Sequence, residues 1–178
     1  IENLRKVDTL IVDKTGTLTE GKPAFHGVVA AAGNSEAEVL RVAASLDQGA
    51  EHPLAQTIVA EARRRELRLE APEKFESASG IGVRGVVAGL TVALGNTALM
   101  EDDGVDWRPL EAQAEALRLE GASVMFLAVA GQAAGLVAVS DPVKHSTPEA
   151  LEALRAGGLT LIMATGDGLT TARAVGRR

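Results

Sequence analysis

The chain has 178 residues, no cysteine and a formal net charge of −6 at pH 7. This length accommodates one substantial core or two small domains, and a hydrophobic content of 46% is ordinary for a globular protein. The lack of cysteine excludes a disulfide framework and a thiolate metal site within the chain. The acidic balance, without a basic stripe, argues against a nucleic-acid-binding surface.

The first part of the chain predicts one strand followed by two helices. Residues 9–12 are a short apolar run ending in a polar loop, which is typical of a buried parallel strand. A capping box at Ser35 and Glu38 predicts a helix that ends near Leu46. A second helix is predicted from Pro53, which suits a first helical turn, to about Leu67.

The middle of the chain predicts short strands and one helix. Between residues 74 and 94, valines lie among glycines, which indicates a hairpin that turns at Gly89. Helical spacing returns from Trp107 to Leu119. Residues 124–130 and 133–139 predict a second hairpin rather than a membrane span, because Gly131 and Gln132 interrupt a run that is short for a bilayer.

The last part of the chain predicts a helix, a strand and a helix. Thr147 and Pro148 form an expected N-cap and first turn for a helix that runs to Arg155. Residues 159–164 predict a second buried strand, and the final helix begins near Thr170.

The two outer segments therefore each carry a strand followed by an acid-bearing loop, as in an open α/β sheet. The predicted fold class is α/β: a Rossmann-type domain interrupted by an inserted α+β domain, which is built on an antiparallel sheet with flanking helices. We assign residues 1–20 and 132–178 to the Rossmann-type domain and residues 21–131 to the insert.

Asp13 is the first candidate for chemistry. It lies just past a predicted parallel strand, where open α/β sheets bind their ligands. Residues 14–19 supply backbone N–H and hydroxyl groups that can hold phosphate oxygens and Mg²⁺. A carboxylate so placed can attack a phosphoryl group and form an aspartyl-phosphate.

Thr165, Gly166 and Asp167 form a second strand-end loop. If the two strands are neighbours, Thr165 can bond the transferring phosphoryl group while Asp167 faces the metal or the nucleotide. For this tripeptide alone, a turn with a helix cap is an equally good interpretation.

The run Asp13-Lys-Thr-Gly-Thr-Leu-Thr19 resembles the phosphorylation signature of P-type ATPases, which belong to the haloacid dehalogenase superfamily. The Thr165–Asp167 tripeptide and Asp141-Pro-Val-Lys144 resemble two further motifs, in that family's order. The resemblance covers essentially the whole chain and implies an enzyme that uses ATP and Mg²⁺. Phosphatases of the superfamily carry an acid–base Asp where this chain has Thr15, so the resemblance favours a pump, whose phosphorylated intermediate must persist.

The middle segment is similar to the nucleotide-binding domain of the heavy-metal-transporting subgroup. Glu51-His52-Pro53-Leu54 resembles a stretch whose His helps to hold ATP, and Asp47 stands where the subgroup has a Glu that binds the adenine amine. Two glycine-containing elements also resemble that pocket. The implied ATP contacts are Asp47, Glu51, His52, Gly80, Gly82, Gly95 and Asn96.

The resemblance implies that the insert closes and presents the γ-phosphate to Asp13, with Mg²⁺ held by Asp13 and the Thr15 carbonyl. The implied residues of the phosphorylation half are Asp13, Lys14, Thr15, Thr17, Asp141, Lys144, Thr165, Gly166 and Asp167. The similarity is strongest to copper exporters, so we expect the cytoplasmic domain of an integral membrane pump. Its membrane and actuator domains would be its partners, and this chain would not bind the transported metal.

Later motifs of the family lie beyond Arg178, so we expect a truncated phosphorylation domain with a partial sheet, which binds nucleotide but is catalytically incomplete. Two alternatives remain open. A phosphatase of the same superfamily would release phosphate rapidly from small phosphoesters. A non-catalytic ATP-binding module would bind ATP without any need for Asp13.

Overall fold

The computed structural model describes residues 7–78 and 80–177. In this part of the chain, strands and helices divide between a large antiparallel sheet and a parallel strand pair. The strands are β1 (Thr9–Asp13), β2 (Ala24–Ala30), β3 (Glu73–Ala78), β4 (Gly82–Val87), β5 (Leu90–Gly95), β6 (Ser123–Val129), β7 (Gln132–Ser140) and β8 (Thr160–Ala164). The helices are α1 (Glu36–Asp47), α2 (Pro53–Arg64), α3 (Thr97–Asp102), α4 (Glu111–Leu119), α5 (Thr147–Ala156) and α6 (Leu169–Gly176).

The large sheet has six antiparallel strands in the order β2-β7-β6-β5-β4-β3. Helices α1 and α2 pack on one face, and α3 and α4 pack on the other. In β6, Leu127 belongs to the first core and its neighbour Phe126 to the second. Because successive strand residues face opposite sides, both faces of the central strands are buried, which explains their nearly continuous apolar sequence.

The predicted domain boundary between residues 131 and 132 is wrong for β7. This strand pairs with β6 on one side and β2 on the other, so residues 132–140 belong to the six-stranded sheet. A boundary at the hairpin turn would separate two strands that bury each other's side chains. The sheet therefore extends from Ala24 to Ser140, and we call residues 24–140 the sheet unit.

The parallel pair consists of β1 and β8, with Asp13 opposite Ala164. The two strands are neighbours, which is the arrangement needed for the loops after Asp13 and Ala164 to lie at the same edge of the sheet. The prediction that both are buried is wrong, because Ile11 is 67% exposed and Ile162 is 48% exposed. An apolar run indicates what a strand can bury, whereas actual burial depends on elements that cover both faces of the sheet. We call residues 7–19 and 144–177 the strand-pair unit.

The chain passes between the two units in two segments that run side by side. Thr19 and Val143 form an antiparallel bridge, and Glu20 N–H donates to the Pro142 carbonyl at 2.9 Å. These bonds hold the outgoing and returning segments together, so both crossings lie at the same edge of the sheet unit.

Local capping signals predicted the side-chain cap of one helix correctly and that of another incorrectly. The Ser35 side chain accepts a hydrogen bond from Glu38 N–H at the start of α1, as predicted. Thr147 does not cap α5, because its hydroxyl donates instead to the Leu18 carbonyl at 2.7 Å. Among residues 7–78 and 80–177, no helix is both long enough and apolar enough to cross a lipid bilayer.

Candidate functional site: a cleft between two strand ends and the sheet unit

Asp13 ends β1 and leads into a wide turn, Lys14–Leu18, which we call the β1 loop. Gly16 has a φ of 76°, a left-handed conformation that glycine adopts at little steric cost. The Asp13 carboxylate is exposed and accepts no hydrogen bond from the described residues. It is therefore accessible to a reacting group.

Asp141 and Lys144 fix the shape of the β1 loop. One Asp141 oxygen lies 2.5 Å from the hydroxyl of the fully buried Thr19, and the other accepts from Lys22 N–H at 3.2 Å. The Lys144 ammonium donates to the Gly16 carbonyl at 2.7 Å. Both residues of the predicted Asp-Pro-x-Lys motif thus contact the β1 loop or the chain beside it, where they support its shape.

Asp167 is held by donors from three directions. Its Oδ2 lies 2.5 Å from the ammonium of Lys14, which is only 7% exposed, and its Oδ1 accepts from the Ser123 hydroxyl at 2.6 Å. Burial alone would raise the pKa of Asp167. The bonds from Lys14 and Ser123, the Lys14 charge and the Thr165 hydroxyl outweigh burial and hold the pKa below its ordinary value.

The Thr165 hydroxyl is already engaged within its own loop. It donates to Asp167 Oδ2 at 2.9 Å and accepts from Asp167 N–H at 3.1 Å, so it closes a local turn. Gly166 is exposed and opens onto free space, and Thr17 is also exposed. Contacts from these residues to a phosphoryl group stay predictions.

His52 caps α2 with one ring nitrogen. Its Nδ1 accepts a hydrogen bond from Leu54 N–H at 3.2 Å, and the side chain is exposed at the cleft. In the neutral ring, an accepting Nδ1 leaves the proton on Nε2. His52 can therefore offer an Nε2–H donor to a ligand while its other nitrogen supports the helix.

Two of the predicted glycines are required by packing. Gly82 pairs with Gly95 across β4 and β5, and a Cβ on Gly82 would collide with the Leu94 carbonyl oxygen. A Cβ on Gly95 would collide with the Ile81 carbonyl oxygen. Gly80 differs, since it has a φ of 79° and a Cβ on it would meet nothing within 4 Å, so its backbone borders open space at the cleft.

Asn96 organises the loop that precedes β4. Its side-chain amide donates to the Gly80 carbonyl at 3.0 Å, and its Oδ1 accepts from Leu99 N–H at the start of α3. The predicted Gly-Asn element thus shapes the wall of the pocket. A direct contact of Asn96 with nucleotide stays a prediction.

Asp47 is a buried acid at the base of the cleft. It is 5% exposed and accepts no hydrogen bond from the described residues. Burial raises its pKa to about 7. No fully buried polar side-chain atom among the described residues lacks a partner, so the Asp47 oxygens reach the cleft surface and can accept from a ligand.

One open cleft of about 1400 Å³ joins these groups. It is lined by all seven predicted nucleotide contacts and by most of the predicted phosphorylation residues. Those lining the cleft are Asp47, Glu51, His52, Gly80, Gly82, Gly95, Asn96, Lys14, Thr15, Asp141, Thr165, Gly166 and Asp167. Asp13 itself lies at the end of β1, directly before the lining residues Lys14 and Thr15.

Sequence reasoning missed the contacts between α6 and the sheet unit. Thr170 donates to Glu115 at 2.7 Å, and Thr171 donates to the Ala122 carbonyl at 2.9 Å. With the Ser123–Asp167 bond, these contacts join residues 44 to 55 positions apart. No local pattern marks a serine or threonine that will act over such a separation.

A profile of the haloacid dehalogenase-like hydrolase family matches residues 7–178. The chain belongs to this family. The parallel strand pair and the antiparallel sheet with flanking helices agree with that membership, so the predicted haloacid dehalogenase-like fold class is confirmed.

Similar proteins include heavy-metal P-type ATPases, which confirms the resemblance. The chain is 49% identical over 177 residues to a copper-transporting P-type ATPase of Rhizobium leguminosarum bv. viciae, covering 99% of the chain and 21% of that relative. It is 44% identical over 178 residues to a silver exporting P-type ATPase of Salmonella typhimurium, covering 100% of the chain and 22% of the relative. The chain therefore spans about a fifth of the length of these curated relatives.

Among solved structures, that of a zinc-transporting PIB-type ATPase in its E2.Pi state is similar to the structure of this chain. The TM-score is 0.68 at 32% identity, covering 96% of this chain and 28% of that one. The similarity extends over both the sheet unit and the strand-pair unit, so both belong to one shared architecture.

The β1 loop is compatible with Mg²⁺. Among the described residues, no three His, Asp or Glu side chains cluster in an arrangement that would hold a metal. Mg²⁺ in phosphoryl-transfer sites is commonly bound through one or two carboxylates together with substrate phosphates and water. The exposed Asp13 carboxylate and the exposed, extended Thr15 backbone beside it meet that smaller requirement.

Proposed function

We propose that the chain is the ATP-binding and phosphorylation part of a heavy-metal P-type ATPase, with copper as the favoured cation. The observation that carries the proposal is the shared cleft, which is lined both by the nucleotide candidates and by residues next to Asp13. The sheet unit would hold the adenosine while the β1 loop receives the γ-phosphate.

In the proposed reaction, an Asp13 carboxylate oxygen attacks the γ-phosphorus, and the bond to the bridging oxygen breaks to release ADP. Of the three acids around the β1 loop, Asp141 and Asp167 accept hydrogen bonds and Asp13 accepts none from the described residues. Asp13 is thus the acid whose lone pairs are available. Bound Mg²⁺ would offset the negative charge of the phosphates as the two anions approach.

Thr15, two positions after Asp13, affects how fast the aspartyl-phosphate would be hydrolysed. Thr15 has no acid–base function comparable to a carboxylate, so the chain offers no general base at that position for water to attack the aspartyl-phosphate. Slow hydrolysis favours a pump intermediate over the phosphatase alternative.

At the nucleotide end, Asp47 and His52 offer complementary groups. The Asp47 oxygens can accept from the adenine amine, and the His52 Nε2–H can donate to a ring nitrogen or a phosphate oxygen. Open space beside Gly80 lets a ligand approach the backbone closely. Glu51, Gly82, Gly95 and Asn96 complete the proposed pocket wall.

The setting we propose is the cytoplasmic side of an integral membrane pump. The curated relatives are about five times longer than the chain, which leaves room for membrane and actuator domains as its partners. Copper is proposed because the copper-transporting relative is 49% identical, although similar proteins are also named for silver and zinc transport.

The test is labelling by γ-³²P-ATP with Mg²⁺. We expect slow, hydroxylamine-labile labelling that disappears in Asp13→Asn, while calorimetric ATP affinity stays within about twofold because the sheet unit holds the adenosine. Equal labelling of the Asp13→Asn variant would rule out Asp13 as acceptor. Loss of ATP affinity in that variant would contradict the proposed division between the two units.

A further inference from the structure

The first residues of β6 form the place where the sheet unit touches the acid of the Thr165–Asp167 loop. Ser123 begins β6, and its hydroxyl donates to Asp167 Oδ1 at 2.6 Å. The second Asp167 oxygen is occupied by Lys14 and Thr165, both from the strand-pair unit. The Asp167 carboxylate thus bridges the two units, with one oxygen committed to each.

The distances show that the Ser123 bond is a strong one. A hydroxyl bound to a carboxylate at 2.6 Å is a charge-assisted hydrogen bond, which is shorter and stronger than a neutral one. The bond also fixes the rotation of the carboxylate plane, because each oxygen is held from a different side. Lys14 follows Asp13 directly, so the orientation of Asp167 is transmitted through Lys14 to the base of the β1 loop.

We propose that Ser123 is a positioning residue that ties the Asp167–Lys14 pair to the sheet unit and so keeps the β1 loop ordered beside Asp13 while the two units are in contact. The functional part of this inference rests on the proposed phosphorylation of Asp13. The Ser123 hydroxyl acts through Asp167, the residue to which it donates.

Neighbouring contacts allow the positioning role of Ser123 to be distinguished from the attachment of the strand-pair unit to the sheet unit. Thr170 bonds to Glu115 and Thr171 bonds to the Ala122 carbonyl, so α6 stays attached to α4 and to the residue before β6 without the Ser123 hydroxyl. Removing that hydroxyl should therefore free one Asp167 oxygen and loosen the Asp167–Lys14 pair while leaving the two units together.

The direct test is the NMR signal of the Lys14 ammonium in the whole chain, compared among Ser123→Ala, Ser123→Thr and Thr91→Ala. Thr91→Ala is the matched control, since it removes an exposed hydroxyl from β5 of the same sheet. We expect the Lys14 ammonium protons to exchange with water about tenfold faster in Ser123→Ala, the factor for losing one bond to a charged group. Ser123→Thr should restore the slow exchange, and Thr91→Ala should not change it.

An unchanged Lys14 signal in Ser123→Ala would overturn the proposal, and so would a change of the same size in Thr91→Ala. If Ser123→Ala fails to fold, Ser123→Thr and Ser123→Cys carry the test: exchange must stay slow in the first and accelerate in the second, because a thiol is a weak donor. Equal exchange in both would overturn the proposal.

A second arm measures ATP-dependent labelling of Asp13. Ser123→Ala should lower the labelling rate about tenfold with ATP affinity unchanged, and Ser123→Thr should recover it. An unaltered rate, or a loss that appears only in ATP affinity, would contradict the positioning role. If the unaltered chain gives no label, the proposed function fails, whereas the Lys14 measurement still decides the role of Ser123.

Discussion

The sheet unit and the strand-pair unit hold their functional residues by different means. In the sheet unit, helices cover both faces of the sheet, and Gly82 and Gly95 of the pocket are fixed by backbone packing. In the strand-pair unit, Ile11 and Ile162 are exposed, and the β1 loop is fixed by hydrogen bonds and one buried ion pair. The proposed nucleotide end is therefore set mainly by shape, and the proposed acceptor end by polar contacts that a single proton or hydroxyl can alter.

The largest effect is expected at Gly82 in the sheet unit. Gly82→Ala should cost more than about 3 kcal/mol in the free energy of unfolding, since its Cβ collides with backbone and its φ of 143° strains any other residue. Gly80→Ala is the control. An alanine there would adopt a left-handed φ at a cost of about 1 kcal/mol, and its Cβ would meet free space. This variant should mainly weaken ATP binding, because the Cβ would occupy space at the cleft. Urea unfolding and ATP titration of both variants separate the two roles, and equal losses of stability would show that packing does not distinguish them.

The next effect concerns the Lys14–Asp167 pair in the strand-pair unit. Asp167→Asn should cost about 3 kcal/mol, because it leaves a buried ammonium without its carboxylate. Asp103→Asn, which breaks the more exposed pair with Arg84, should cost less than about 1 kcal/mol.

The pH dependence of that pair follows from the lowered pKa of Asp167. The contribution is complete above the ordinary carboxyl range near pH 4 and is lost as pH falls through the depressed value. Urea unfolding at pH 7 and at pH values below about 4 should therefore show the gap between the original chain and Asp167→Asn closing only in the more acidic range. A constant gap would contradict the ion-pair account.

Asp47 is expected to make a smaller contribution to the pH dependence of stability, opposite in sign to that of Asp167. Its pKa is raised to about 7, so the folded chain keeps a proton that the unfolded chain loses near pH 4. Stability should consequently fall by roughly 2 kcal/mol between pH 5 and pH 7 and level off above. Asp47→Asn should flatten this decline in thermal unfolding measured across the same range, and an unchanged slope would exclude Asp47 as its source.

The smallest effect on stability is expected at His52, where the two ring nitrogens have different roles. His52→Asn keeps a good N-cap for α2, whereas His52→Ala should lose about 1 kcal/mol. Both variants lack the Nε2–H donor and should bind ATP more weakly by a similar factor. If His52→Asn retained full ATP affinity, the ring would act only as a cap.

Residues with a local signature were predictable from sequence. Asp13 follows an apolar strand and precedes a loop of small polar residues, and Pro53 marks a helix start. Both features can be recognised from the few residues around them. Thr147 carried an equally good capping signal, but in the folded chain its hydroxyl donates to the Leu18 carbonyl instead.

The remaining features depend on distant partners. The placement of β7 in the sheet and the Ser123–Asp167 bond are decided by tertiary pairing, which periodicity does not encode. The exposure of Ile11 has the same origin, since an apolar strand pattern does not state whether another element will cover it.

The central claim is that one cleft serves both nucleotide and acceptor, and backbone amide shifts test it most directly. With ATP and Mg²⁺, we expect shifts at His52 and Gly80 together with Lys14 and Thr15, whereas adenosine, which lacks phosphates, should move only the first two. If ATP at saturation moved His52 and Gly80 but left Lys14 and Thr15 unchanged, the two ends would not share a ligand and the account would be contradicted.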